Sequence, residues 1–192
     1  MSENKRVILA ITGASGAIYG LRTLEILEKL DIEVHLVISA LGDRVLQEEV
    51  RISAAELMQR TVYSYSTEDL AAPIASGSFK VDAMLIVPCS IKTLSAIANS
   101  YTENLISRAA DVCLKEDRPL LLAVRETPLH TGHLHLMSKA AQAGAIIYPP
   151  VPAFYSHPAT IDDLVNTSVG RMLARVGIEN NAFIPWKGLG KQ

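Results

Sequence analysis

Small and hydroxyl-bearing residues stand directly after three short apolar runs in this sequence. Gly13 and Ser15 follow the first run, Ser39 follows the second, and Ser90 and Thr93 follow the third. Small residues let a backbone come close to a ligand, and the amides that open a helix favour an anion such as phosphate. Hydroxyls and amides together can hold a phosphate or a ribityl chain without a metal ion. A short glycine-rich connection between a strand and a helix explains the first turn equally well, so both interpretations stay open here.

The first of these turns, TGASGA at 12–17, matches none of the sharper motifs that share its glycines. Ser15 occupies the second glycine position of the dinucleotide fingerprint GxGxxG, and the P-loop pattern GxxxxGK[ST] is absent. The turn is not GxSxG either, so a hydrolase nucleophile elbow is not indicated. A short-chain dehydrogenase needs a tyrosine with a lysine four residues later, and none of the six tyrosines has that partner. These classes are therefore disfavoured.

Strands and helices are expected to alternate along the chain, because buried apolar runs alternate with apolar residues at helical spacing. The predicted strands cover 6–12, 32–38, 83–87, 119–124 and 145–148, and residues 61–65 are compatible with another short strand. The predicted helices cover 18–30, 41–49, 53–60, 93–100, 104–115, 132–143 and 160–175. This alternation predicts a mostly parallel sheet covered on both faces. Ligands of such sheets bind beyond the carboxyl ends of the strands.

Composition limits the class of protein. With 192 residues, 49% of them hydrophobic, the chain fits one compact domain with a sizeable core. The mean hydropathy of +0.23 is slightly apolar, which favours a homo-oligomer. A net charge of −2 gives no electrostatic basis for nucleic-acid binding, and no apolar stretch reaches the ~18 residues of a membrane span.

The two cysteines and the N-terminus indicate the compartment. Cys89 and Cys113 are too few and too far apart for a disulfide framework, so two buried thiols in a reducing compartment are expected. The N-terminal MSENKR lacks the apolar region of a signal peptide. We therefore expect a cytoplasmic protein without a membrane partner.

Several blocks of the sequence resemble, in order, those of the UbiX-type flavin prenyltransferase family. They are TGASGAIYG (12–20), SGSF (76–79), PCSIKTLSAI (88–97), SRAADVCLKEDRPL (107–120), VRETPLHTGHL (124–134) and PPVPAFY (149–155), followed by Gly170-Arg171 and Trp186. The resemblance implies a flavodoxin-like Rossmann fold, a three-layer α/β/α sandwich, formed by a single FMN-binding domain over 1–192 with a C-terminal tail from about 177. It also implies a homo-oligomer, a tetrahedral dodecamer with active sites where subunits meet.

The resemblance assigns site residues, each at the position that matches the family. Those matching FMN-binding positions are Gly13, Ala14, Ser15, Ser39, Ser90, Ile91, Lys92, Thr93 and Arg125. Those matching positions that bind the prenyl phosphate are Arg108, Lys115, Tyr155 and Arg171. Those matching residues implicated in the chemistry are Ser15, Glu49, Lys115 and Glu126.

The implied reaction transfers a dimethylallyl group from dimethylallyl phosphate to reduced FMN, and the prenylated FMN serves a UbiD-type decarboxylase. No metal is expected, because Lys115, Arg125 and Arg171 would absorb the charge of the leaving phosphate. Glu126 and Ser15 would relay protons, with the departing phosphate as a base. Apolar walls would shield the allylic cation from water.

Each of these side chains has a plainer interpretation. Lys115 and Arg108 lie seven residues apart on a predicted helix and could both be solvated, and Glu49 could be part of a charged surface pair. Arg125 and Glu126 could form an ion pair at the end of a strand. Tyr155 could only pack under a proline loop.

The histidines His130, His133 and His135 cluster in sequence, but no HExxH motif or cysteine accompanies them. Surface or capping roles are therefore favoured over a metal site. The segment at 135–136 also differs from the family, where Glu-Asn is common.

Leu70 stands where quinone-pathway members of the family often have tryptophan. The difference leaves open whether the donor is dimethylallyl phosphate or pyrophosphate. The client's aromatic substrate, and whether it belongs to quinone synthesis or aromatic-acid breakdown, also stay open.

Three other functions compete with this one. That the chain itself decarboxylates aromatic acids is disfavoured, because nothing in the sequence supplies the machinery for it. Flavin-dependent cysteine decarboxylases resemble one another in a PASANT-type strand end and an upstream catalytic histidine. Here the strand end reads PCSIKT, and no histidine lies between His35 and His130. A passive flavin carrier would not need the cations at 115, 125 and 171.

Overall fold

A computed structural model describes residues 5–186 and residue 188. The six strands are β1 (Arg6–Ile11), β2 (Glu33–Ile38), β3 (Tyr63–Tyr65), β4 (Ala83–Cys89), β5 (Leu120–Val124) and β6 (Ile146–Ile147). The seven helices are α1 (Ala17–Lys29), α2 (Ala40–Val50), α3 (Ala54–Arg60), α4 (Ile91–Ala98), α5 (Leu105–Lys115), α6 (Thr131–Gln142) and α7 (Ile161–Arg175). A short 3₁₀ helix, Pro73–Ala75, lies in the segment predicted as a loop.

The strands form one sheet in the order β3-β2-β1-β4-β5-β6, and every neighbouring pair is parallel. The chain moves outward from β1 to β3, then returns to place β4 on the other side of β1. The strand order therefore reverses between β1 and β4, which is the topological switch point of a doubly wound sheet. The predicted α/β fold with a parallel sheet is confirmed.

Helices cover both faces of the sheet because strand residues alternate between the two sides. Leu9 and Ile11 pack on the face covered by α1, α2, α3 and α7. Ile8 and Ala10 pack on the face covered by α4, α5 and α6. Two buried cores thus fix the sheet between two helical layers, the three-layer arrangement expected from the sequence.

Several predicted boundaries differ from those in the structure by one or two residues, and two of these differences lie beside the switch point. The fourth strand does not end at Pro88 but continues to Cys89, because the pairing register with β5 shifts between Ile86 and Cys89 and accommodates the proline. Helix α4 begins at Ile91, two residues earlier than predicted, because Ser90 caps it. None of the helices in the described part of the chain is long and apolar enough to cross a membrane.

Candidate functional site

Three helices, α1, α2 and α4, begin at the carboxyl ends of β1, β2 and β4, at and beside the switch point. Ser39 caps α2, its Oγ accepting from the amide of Gly42 at 3.0 Å. Ser90 caps α4, its Oγ accepting from the amide of Thr93 at 3.3 Å and lying 3.1 Å from the Thr93 hydroxyl. The predicted hydroxyl residues therefore come together at one edge of the sheet, as the parallel topology requires.

Thr12 joins the two strands at the switch point. Its hydroxyl donates to the carbonyl of Pro88 at 2.8 Å and accepts from the amide of Ser90 at 2.9 Å. The residue is only 1% exposed, so these bonds are shielded from water. Thr12 was not among the predicted site residues. Its position as the first hydroxyl after a buried strand was the available signal.

The glycine-rich turn before α1 is held by Glu49, which lies on α2. One carboxylate oxygen, Oε2, accepts from the amides of Gly16 and Ala17, both at 2.8 Å. Gly16 has φ of 101°, a left-handed conformation that favours glycine. Gly13 permits the turn to lie against α2, since a Cβ there would be 2.3 Å from Cγ of Leu41. Glu49 thus lies at the predicted site and acts as the anionic cap of α1.

The opening amides of α4 are free, in contrast to those of α1. Ile91 and Lys92 are its first two residues, whose amides have no acceptor within the helix. Among residues 5–186 and 188, no other group accepts from them. The side chain of Lys92 is 79% exposed and pairs with Glu103 at 3.1 Å. Lys92 therefore offers a ligand at this helix terminus its backbone amide and not its ammonium group.

Arg125 and Glu126 directly follow β5 at the same edge. The amide of Arg125 donates to the carbonyl of Cys89 at 3.1 Å, and its half-buried side chain passes beside the turn at Gly16. Glu126 is exposed, and its Oε1 accepts from the amide of Thr127 at 2.9 Å. A guanidinium and a carboxylate thus stand next to the crevice between β1 and β4. They form no ion pair with each other, contrary to their plainer interpretation.

Tyr155 and Arg171 lie near the end of β6, around Tyr148. Burial raises the pKa of Tyr148, and the positive charge of Arg171 partly opposes that rise. The Tyr155 hydroxyl donates to the carbonyl of Ile184 at 3.4 Å, and its ring packs edge-on against Trp186 with 5.5 Å between centroids. The segment after α7 therefore folds back onto Tyr155. Of the predicted tail 177–192, positions 187 and 189–192 lie outside the described residues.

Lys115 and Arg108 both lie on α5, away from the residues that follow the strands. Lys115 ends α5 and precedes β5, whereas Arg125 follows that strand. Five strand residues span roughly 16 Å, so the two cations stand at opposite edges of the sheet. Arg108 donates from Nε to the carbonyl of Ala75 at 3.1 Å. Within a single chain, then, the predicted phosphate cluster is not assembled.

The histidine prediction is settled for one residue. His130 caps α6, because its Nδ1 accepts from the amide of Gly132 at 3.0 Å. Its ring lies against that of His133, with 3.6 Å between centroids. A capping role for His130 is therefore confirmed. Leu70, the other departure, is half exposed.

Comparison with known proteins shows the family. Residues 1–173 match the family model described as Flavoprotein. The flavin prenyltransferase UbiX of Salmonella typhimurium is 51% identical over 187 residues, 96% of this chain and 99% of that protein.

Two solved structures are similar over nearly the whole chain. A crystal structure of AnUbiX (PadA1) in complex with FMN and dimethylallyl pyrophosphate has a TM-score of 0.95 and 44% identity, over 97% of this chain and 99% of that one. A dodecameric FMN-dependent UbiX-like decarboxylase from Escherichia coli O157:H7 has a TM-score of 0.92 and 41% identity, over 95% and 100% of the two chains. With its doubly wound sheet and its hydroxyl-lined switch point, the chain belongs to the flavoprotein family and, within it, to the UbiX flavin prenyltransferases.

Proposed function

We propose that this protein transfers a dimethylallyl group from dimethylallyl phosphate to reduced FMN, and so makes prenylated FMN. The observation that carries the proposal is its likeness, over 97% of the chain, to a relative that holds FMN and dimethylallyl pyrophosphate. The crevice at the switch point of this chain offers the amides, hydroxyls and guanidinium that such ligands need. The proposal is therefore supported by the chain's own residues as well as by its family.

The residues at the switch point fit FMN. Its phosphate would bind at the start of α4, where the amides of Ile91 and Lys92 are free and the hydroxyls of Ser90 and Thr93 are adjacent. The start of α1 is less suited to a phosphate, because the Glu49 carboxylate already accepts from its amides. Ser39 and the turn at 13–15 would contact the rest of the molecule.

Positive side chains replace a metal ion in this proposal. Arg125 and Arg171, with the Tyr155 hydroxyl, would face the donor's phosphate from one copy of the chain. Lys115 stands at the opposite edge of the sheet, so it would have to come from a second copy, and Arg108, two turns earlier on the same helix, would come with it. Fixed cations stabilise a leaving phosphate because its negative charge grows as the carbon–oxygen bond breaks. The active site is then complete only in the homo-oligomer.

Bound reduced flavin supplies the electron-rich nitrogen and ring carbon that accept the prenyl group. Glu126 is exposed at the crevice and is placed to take or return a proton. Ser15, exposed in the turn before α1, is the second candidate for a proton relay. Glu49 would support the chemistry by fixing that turn.

Partners and location follow from the same proposal. We infer that the chain forms a dodecamer, as its Escherichia coli O157:H7 relative does. A UbiD-type decarboxylase would use the prenylated FMN. Cytoplasmic location stays a prediction from the sequence.

The test is a single anaerobic reaction. The purified protein is mixed with reduced FMN and either dimethylallyl phosphate or dimethylallyl pyrophosphate, and the extracted flavin is analysed by mass spectrometry. A five-carbon adduct is expected. Bound FMN without an adduct from either donor would instead indicate a passive carrier.

Two variants test the assigned roles. Lys115→Ala and Glu126→Gln should bind FMN normally and lose turnover. Lys29→Ala is the matched control, because Lys29 is exposed and ends its helix as Lys115 does. Full activity in both test variants would show that the roles are assigned wrongly.

A further inference from the structure

Three cations of the segment 108–118 gather around one loop, residues 75–79. Arg118 donates from Nη1 to the carbonyl of Phe79 at 2.7 Å and from Nη2 to that of Gly77 at 2.6 Å. Arg108 donates to the loop as well, through the carbonyl of Ala75. We call Arg108, Lys115 and Arg118 the α5 cation cluster. Its two guanidinium groups bond the loop to α5 and to the segment that follows this helix.

Two carboxylates offset most of the charge of this cluster. Asp111 lies 3.3 Å from Nη1 of Arg108, and Glu116 lies 2.5 Å from Nζ of Lys115. The Lys115 ammonium donates a hydrogen bond to the Glu116 carboxylate and lowers its pKa, so this carboxylate is charged at neutral pH. Three positive and two negative side chains leave the cluster with one net positive charge.

The ion pair of Lys115 and Glu116 is held directly against the backbone of the loop. A Cβ at Gly77 would lie 2.3 Å from Oε1 of Glu116 and 2.8 Å from Nζ of Lys115. The Lys115 side chain is 48% exposed, so the N–H groups that do not bond Glu116 can donate to an anion in the solvent. An anion bound by Lys115 would therefore lie close to the carboxylate of Glu116 too.

We propose that Glu116 is a specificity-determining residue that favours a monophosphate donor over a pyrophosphate donor. This inference rests on the proposed function, in which Lys115 binds the donor's phosphate. A pyrophosphate carries about one more negative charge than a monophosphate and is repelled more strongly by a nearby carboxylate. Removing the charge of Glu116 should thus strengthen pyrophosphate binding more than phosphate binding. For charges separated by about 7 Å near a surface, the difference is about three- to tenfold.

The experiment compares Glu116→Gln with the unsubstituted protein, both loaded with FMN. Dissociation constants for inorganic phosphate and inorganic pyrophosphate are measured by calorimetry, and kcat/KM is measured with both dimethylallyl donors. Glu28→Gln is the matched control, because Glu28 also pairs with a basic side chain, Arg60, at 2.6 Å. It removes the same charge from a different part of the surface.

In Glu116→Gln, the ratio of pyrophosphate to phosphate affinity should rise about three- to tenfold, and the ratio of kcat/KM should move the same way. The rise should shrink at high salt, and Glu28→Gln should leave both ratios unchanged. Equal changes for the two anions, an equal shift in Glu28→Gln, or no binding of either anion would overturn the inference. If the unsubstituted protein makes no prenylated flavin, the proposed function fails, while the anion measurements still decide the role of Glu116.

Discussion

The hydrogen bond from the Ser90 amide to the Thr12 hydroxyl should contribute measurably to the free energy of unfolding. Thr12→Val keeps the shape of the side chain and removes its hydroxyl. The carbonyl of Pro88 keeps a second donor, the amide of Thr12 at 3.2 Å, but the amide of Ser90 loses its acceptor. An unpaired amide at a largely buried position costs about 2 kcal/mol. In a protein of this size the loss lowers Tm by about 4–8 °C.

A matched control separates this effect from the loss of any hydroxyl. Thr23 is fully buried, and its hydroxyl donates at 2.7 Å to the carbonyl of Tyr19, four residues earlier in α1. Thr23→Val leaves no amide unpaired, so its cost should stay below about 1 kcal/mol.

The assay combines thermal unfolding with titration of FMN. Thr12→Val should weaken FMN binding about tenfold, or about 1.4 kcal/mol, because the start of α4 loses its tie to β1. Thr23→Val should bind FMN normally. Equal stability loss and equal FMN affinity in the two variants would refute the idea that Thr12 positions the site.

Three other predictions follow from side chains near the site or in the core. Glu49→Ala should lower the free energy of unfolding by about 1–2 kcal/mol, whereas Glu48→Ala should change it by less than about 0.5, since only Glu49 caps a helix. Burial lowers the pKa of His35 from its ordinary value of 6.5, so the unfolded chain binds a proton first and stability should fall as pH drops below about 6.5. Urea unfolding from pH 7.5 to 5 should show a weaker fall in His35→Gln, while His135→Gln, at an exposed position, should follow the unsubstituted protein. Burial raises the pKa of Cys113 to about 12, so iodoacetamide at pH 8 should modify this thiol only after denaturation, as mass spectrometry would show.

Local chemistry explains which parts of the site could be predicted from sequence. Ser39 and Ser90 each follow a buried strand and precede a helix, and a hydroxyl at such a place caps the helix whatever the rest of the fold is. The strand positions were also predictable from local sequence, because a strand buried on both faces is a continuous apolar run. Boundaries were less predictable, because the extension of β4 through Pro88 depends on its pairing with β5.

Contacts between distant segments were beyond the reach of these patterns. The family resemblance assigned Glu49 to the chemistry, but its own sequence pattern is that of one of two surface acids. Only the packing of α2 beside α1 brings it to amides 32 and 33 residues away. The bond between Thr12 and Ser90 spans 78 residues and depends on the return of the chain to place β4 beside β1. Residues that are close in sequence can also lie far apart in the fold. Lys115 and Arg125 are ten residues apart, yet an intervening strand carries them to opposite edges of the sheet.

That separation gives the sharpest test of an active site shared between copies. Lys115→Ala and Arg125→Ala should each be inactive when pure, since every site then lacks one cation. If the two residues of a site come from different copies, random mixed oligomers of the two variants contain some sites with both cations intact. In an equal mixture the chance of each intact residue is one half, so about a quarter of the unsubstituted activity should return. The variants are mixed after reversible dissociation or by co-expression, and prenylated flavin is measured. A mixture of both variants in the same oligomers that is as inactive as its components would refute an active site shared between copies.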